Sequence, residues 1–153
     1  MRWLLLVVVA AGVALLLTRA EPFAPTVELA KPIALVGRAT PLELVARDRG
    51  TGLARVEVRL VPRDGAPVVV AGESYPGPTG WLGGGVHEAT LTSTLDAAAA
   101  HVPEGPATLE VWATDHSWFA GLHRGPRLSL PVVIDLTPPT LELLSSQHVA
   151  RVG

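Results

Sequence analysis

Val56, Val58 and Leu60 alternate with Arg55, Glu57 and Arg59. An extended strand puts the first three on one face and the second three on the other. The same period of two returns in Leu42, Leu44 and Ala46 against Glu43 and Arg47. It returns again in Ala89, Leu91 and Leu95 against Glu88, Thr90, Thr92 and Thr94, and in Leu109, Val111 and Ala113 against Thr108, Glu110 and Trp112. Turn formers separate these runs: Asp48-Arg49-Gly50-Thr51-Gly52, Pro62-Arg63-Asp64-Gly65 and Pro103-Glu104-Gly105-Pro106. Glycine there can take positive φ, while aspartate and proline fix the bend. With 15 glycines and 14 prolines scattered along it, the chain suits many short strands and does not suit a helical bundle.

The remaining elements follow from the same signals. Thr26 to Ala30 reads as a first strand, ended by Lys31-Pro32, and Val68-Val69-Val70 as a short apolar one. A long loop rich in Gly and Pro runs from Glu73 to Gly85. Asp96 followed by Ala97 to Ala100 reads as a single helical turn with Asp96 as its N-cap. Leu128 to Ile134 is the last strand, and Pro131 within it points to an edge or bulge position. About seven strands between residues 26 and 137 predict an all-β fold, an immunoglobulin-like β-sandwich preceded by an N-terminal apolar helix. A small barrel is the competing architecture.

The N-terminus sets the compartment. Met1-Arg2 precedes an unbroken apolar run from Trp3 to Leu17, followed by Thr18-Arg19-Ala20. A basic start and a pure Leu/Val/Ala run form an export signal, so residues 1–20 are expected to be a signal peptide or a signal anchor. Fifteen residues rise about 22 Å, against a bilayer core of about 30 Å. Retention as an inner-membrane anchor through residues 3–17 requires local thinning and snorkelling of Arg2 and Arg19. Cleavage after Ala20 gives a secreted product instead. Either way the rest of the chain is expected outside the cytoplasm, in the periplasm if the anchor stays. Residues 21–25 form a short proline-bearing spacer.

The other end carries an echo. Pro25-Thr26-Val27-Glu28-Leu29 recurs as Pro139-Thr140-Leu141-Glu142-Leu143, just after Asp135-Leu136-Thr137-Pro138. A chance match is possible in a chain rich in Pro, Leu and Val. The position of each copy at a module border favours a second reading, in which residues 138–153 begin a further domain.

A formal net charge of −2 implies no large basic surface and argues against nucleic acid as partner. The chain has no cysteine, which excludes disulfides, thiolate zinc sites, thiol catalysis and a lipidated cysteine.

Ala46-Arg47-Asp48 through Gly52-Leu53-Ala54-Arg55-Val56-Glu57-Val58 resembles the strand–Asp–Gly turn–strand unit of bacterial Ig-like repeats. Gly105 to Asp115 resembles their penultimate strand, which ends in Ala-x-Asp, and Val133 to Pro139 resembles the border between tandem modules. A narrower resemblance rests on the helix, the Ig-like module, Gly80-Trp81 to Gly85-Val86-His87-Glu88, Asp115-His116-Ser117-Trp118 and Leu144-Ser145-Ser146-Gln147-His148. Together these resemble the N-terminal region of proteobacterial envelope proteins with a C-terminal zinc peptidoglycan endopeptidase domain of the LytM and lysostaphin type. That resemblance implies a non-catalytic module positioning a murein hydrolase, with zinc held only by the downstream domain. An adhesive module in a tandem Ig-like array is the alternative.

The residues themselves carry no catalytic motif. That family's zinc site needs His-x-x-x-Asp and His-x-His, yet Leu91, Gly105, Ala120 and Arg127 stand four residues after His87, His101, His116 and His123. There is no Gly-x-Ser-x-Gly elbow, and Gly83 to Gly85 lack the Lys-Ser/Thr of a phosphate loop. No catalytic, metal or cofactor residue is therefore expected in this chain. A zinc pair at His116 and His123 and a calcium pair at Asp48 and Asp115 are the metal alternatives. The latter competes with each aspartate capping its own turn. Trp81, Trp112, Trp118 and Phe119 form the candidate binding surface, for peptidoglycan or an envelope protein. Packing of Trp112 under the long loop and of Trp118 and Phe119 over the sandwich end is the competing reading.

Overall fold

The computed structural model describes residues 2–19, 23–77, 85–118 and 125–137. A helix α1 (Arg2–Arg19) is followed by eight strands: β1 (Thr26–Leu29), β2 (Leu35–Val36), β3 (Thr40–Arg47), β4 (Leu53–Pro62), β5 (Val68–Ser74), β6 (Glu88–Leu95), β7 (Gly105–Asp115) and β8 (Leu128–Ile134). The strands form two sheets, ordered β1-β3-β6 and β2-β8-β7-β4-β5. Among the described residues the chain is therefore all-β, with two sheets and one helix outside them.

The alternation read in the sequence becomes the core. Leu42, Leu44 and Ala46 of β3 and Leu91 and Leu95 of β6 meet Val56, Val58 and Leu60 of β4 and Leu109, Val111 and Ala113 of β7, all buried. Burying one such aliphatic side chain contributes about 1.5–3 kcal/mol. Strand β7 is central in its sheet, paired with β4 from Leu53↔Asp115 to Pro62↔Ala107 and with β8 from Val111↔Leu128 to Gly105↔Ile134.

Two differences from the sequence reading have physical causes. β2 carries no signal in the sequence, because two residues are too short to show a period. It pairs in parallel with β8 (Leu35↔Val133, Val36↔Ile134) and carries Val36 into the core. β5 runs on to Ser74, four residues beyond the apolar triplet, because Gly72 and Glu73 face β4 in register with Glu57 and Val56. Pro131 sits where β8 has β7 on one side and, among the described residues, no neighbour on the other, since β2 reaches only Val133 and Ile134. The missing N–H is tolerated at such an edge.

The turn after β6 is capped as its sequence suggests. Ala99 N–H donates to Asp96 Oδ1 at 2.9 Å and Ala100 N–H to the Asp96 carbonyl at 3.1 Å. The turn ends with Val102 N–H on the Ala97 carbonyl (2.9 Å) and His101 N–H on that of Ala98 (3.0 Å), while His101 takes φ +55°. This is the double C-terminal bond that normally uses glycine in the left-handed position. His101→Gly is therefore expected to stabilise the protein by about 0.5–1 kcal/mol, seen as a rise in the urea midpoint at unchanged slope.

α1 does not join the core. Trp3 through Val9 are 54–82% exposed. Among the described residues no helix is long and apolar enough to cross a membrane.

The registers also fix direction. Thr26, Arg47, Glu88, Leu53 and Asp115 lie at one pole of the sheets, through Thr26↔Arg47, Arg47↔Glu88 and Leu53↔Asp115. Thr40, Leu95, Gly105 and Ile134 lie at the other, through Thr40↔Leu95 and Gly105↔Ile134. The chain thus enters the sheets at the first pole and leaves them at the second.

Candidate functional site

Of the four aromatic residues, the structure describes Trp112 and Trp118. Trp81 and Phe119 lie outside the described residues. Trp112 stands on the outer face of the five-stranded sheet, half-buried, directly opposite Glu57. Its Nε1–H donates to Glu110 Oε2 at 2.9 Å, and the Arg59 guanidinium lies 4.6 Å from its ring centroid. One face of the indole is therefore already occupied by a cation, an arrangement that stabilises the surface and leaves less ring for a sugar. Trp118 lies beyond the end of β7, at the Asp115 pole, and is 59% exposed.

Alternation alone placed Glu57 in water, and the structure corrects this: it is only 8% exposed. Arg55 Nη2 and Arg59 Nη2 ion-pair with its two carboxylate oxygens, the latter at 2.6 Å. The Arg59 guanidinium reaches it while also lying over the Trp112 ring. Gly72 of β5 lies opposite, where an added Cβ would come within 3.5 Å of Glu57 Cγ. No period-two pattern can show that an outward carboxylate will be buried and paired with both its i−2 and i+2 neighbours.

The pole around Asp48 and Asp115 holds a connected polar arrangement. Each aspartate continues the inward row of its strand, past Ala46 in β3 and Ala113 in β7, and each is 4% exposed. Asp48 Oδ2 accepts from Gly50 N–H (3.1 Å) and Gly52 N–H (2.7 Å), and Asp115 Oδ1 accepts from Ser117 N–H (2.9 Å). Each therefore caps its own turn. Gly52 joins the two turns, because its carbonyl also accepts from His116 N–H at 3.1 Å. The other oxygens, Asp48 Oδ1 and Asp115 Oδ2, and the hydroxyl Ser117 Oγ are buried without a hydrogen-bond partner among the described residues.

Both nearby imidazoles face backbone. His87 Nδ1 lies 3.3 Å from the Asp48 carbonyl and His116 Nε2 lies 3.3 Å from the Tyr75 carbonyl. His123, the proposed zinc partner of His116, lies outside the described residues. Among the described residues no group of three His, Cys, Asp or Glu side chains is arranged to hold a metal ion.

A cleft of about 890 Å³ opens beside this pole, lined by Phe23, Thr26, Glu28, Arg47, Arg49 and Glu88 among others. Arg47 bridges Glu28 (3.1 Å) and Glu88 (3.0 Å), tying β1, β3 and β6 across the outer face of the smaller sheet. Glu88 and then Glu28 hold the guanidinium more firmly protonated than usual. Both carboxylates are exposed, so water screens the pairs.

Tyr75 is the only tyrosine of the chain. Burial pushes its phenol up to about 12, assisted by the Glu73 carboxylate, whose Oε2 accepts its O–H at 3.3 Å. Absorbance at 295 nm is expected to show one phenol ionising near pH 12 in the folded chain, against 10 when unfolded. The folded value is the higher one, so this contribution is intact below pH 10 and is lost as pH rises towards 12.

No protein-family model, curated protein or solved structure matches the chain.

Proposed function

We propose that this chain is the export helix and immunoglobulin-like module of an envelope protein, and that the module is a non-catalytic spacer. Its task is to hold a following domain at a fixed distance from the membrane. The observation that carries this reading is the opposite placement of the two ends of the module. The chain enters beside Arg47 and leaves beside Gly105, and the eleven residues of β7 span the interval, about 35 Å at ~3.3 Å each. The exit is held in place: Glu104 Oε1 accepts from Leu136 N–H (2.9 Å) and Thr137 Oγ1–H (3.2 Å).

The immunoglobulin-like reading draws on strand order. β1-β3-β6 corresponds to A-B-E, and β8-β7-β4-β5 to G-F-C with one added C′ strand. β2 carries the first edge across to the second sheet. The anchor or signal reading draws on α1, whose exposed Leu and Val side chains make an apolar surface that the sandwich leaves uncovered. The following domain, from the resemblance given above, is a zinc murein endopeptidase.

An alkaline phosphatase fusion after Thr137 tests the export step. Active reporter in the membrane fraction is expected for the anchor, and active soluble reporter for a cleaved signal. An inactive cytoplasmic reporter overturns both. The coding sequence beyond Gly153 tests the downstream domain, since His-x-x-x-Asp followed by His-x-His supports the hydrolase. Repeated Asp-x-Thr-Pro-Pro borders support a tandem array instead. Exposure of Trp118 favours glycan binding as a second reading. Peptidoglycan pull-down that is unchanged by Trp118→Ala would rule it out.

A further inference from the structure

The Asp48–Asp115 pole holds three oxygens that no donor reaches among the described residues: Asp48 Oδ1, Asp115 Oδ2 and Ser117 Oγ, on side chains 4%, 4% and 8% exposed. Buried carboxylate oxygens are ordinarily hydrogen-bonded, paired with a cation or protonated. Here each carboxylate spends one oxygen on its own turn and keeps the other. The turns are held to each other by Gly52, which donates to Asp48 and accepts from His116, the residue after Asp115.

We propose that Asp48, Asp115 and Ser117 form a binding site for a hard divalent cation of the calcium type. All three groups are oxygens, and the two histidines of this pole are turned to backbone carbonyls, so the ligand set disfavours zinc. Calcium takes six to eight oxygens in flexible geometry, whereas magnesium demands a near-ideal octahedron and sheds water reluctantly. Two carboxylates and a hydroxyl leave coordination positions for water or backbone carbonyls. Such a low ligand charge puts the affinity at about 10⁻⁴–10⁻³ M, the range of extracellular modules. The cation ties the turn after β3 to the turn after β7, and so joins the two sheets at the pole where the chain enters. This holds whether the module is a spacer or not.

The test uses the full 153-residue chain in detergent micelles. Thermal unfolding is followed with calcium, with magnesium and with chelator, and tryptophan-sensitised terbium luminescence, weaker in Trp118→Phe than in the parent, reports proximity to the loop. Calcium at about 10 mM is expected to raise the midpoint by roughly 5–10 °C, saturably, with a much smaller effect of magnesium. Asp48→Asn and Asp115→Asn are each expected to weaken calcium at least about tenfold, and Ser117→Ala about two- to fivefold. Should either Asn variant fail to fold, Ser117→Ala and calcium displacement of terbium from the parent decide. The proposal is overturned by a parent with neither a calcium-dependent midpoint nor displaceable terbium. It is equally overturned by undiminished affinity in the folded Asp48→Asn or Asp115→Asn variant.

Discussion

Leu109→Ala is expected to lower the unfolding free energy by about 3–4 kcal/mol, and the thermal midpoint by roughly 10–20 °C. Leu109 has no exposed surface and occupies β7, which has partners on both sides: Leu60 of β4 and Leu130 of β8 stand opposite it. The truncation removes three carbons from a site bounded by two hydrogen-bonded ladders, which cannot slide inwards to fill the space. Both the transfer loss and the cavity cost therefore apply. The outward residues of the same strand give the control. Thr108→Ala changes a half-buried position and is expected to cost less than about 1 kcal/mol. Urea titration of both variants measures the difference. Equal costs would mean that the inward row of β7 is not the centre of the core.

That row was legible because alternation is a property of single strands. Leu42-Leu44-Ala46, Val56-Val58-Leu60 and Leu109-Val111-Ala113 each announce a buried face without knowledge of any partner, and all nine residues are buried. Partner choice is a different kind of information. The parallel pairing of Leu35–Val36 with Val133–Ile134 joins segments nearly a hundred residues apart, and neither carries a signal of the other. The same limit explains Glu57. Its i−2 and i+2 neighbours, Arg55 and Arg59, are charged, so the pattern reads as a solvated face. Its pairing with both Arg55 and Arg59 and the placement of Trp112 opposite it are tertiary facts that the pattern does not carry.

The pole was legible in part. Asp48 before Gly50 and Gly52, and Asp115 at a strand end, each read as a turn cap, and the backbone bonds they accept are present. The sharing of Gly52 between the two turns was not readable, because it depends on the pairing of β4 with β7. The unpartnered oxygens could not be foreseen either. A cap needs only one carboxylate oxygen, and the fate of the second depends on what the other sheet brings to it.

Gly52→Ala carries the other large expected effect, a loss of about 2–4 kcal/mol. Gly52 has φ +90°, where an L-residue is strained. A Cβ built there would stand 2.8 Å from Gly85 Cα and 3.1 Å from Val86 N, both backbone atoms that no rotamer change can move aside. The approach is close because Leu53 N–H donates to the Val86 carbonyl (2.7 Å) and Asp48 N–H to that of His87 (2.9 Å), drawing the start of β6 over the turn. Gly105 separates the two contributions. It has φ +123° but nothing within 4 Å of its Cβ position, so Gly105→Ala meets backbone strain alone, about 1–2 kcal/mol. The expected order is therefore Gly52→Ala well below Gly105→Ala in stability. Gly52→Ala also disturbs both bonds that join the Asp48 and Asp115 turns, so amide exchange should rise at Gly50 and His116 in that variant only. Equal losses for the two substitutions, with no change in exchange at His116, would show that the turn does not lie against Gly85 as closely as these distances require.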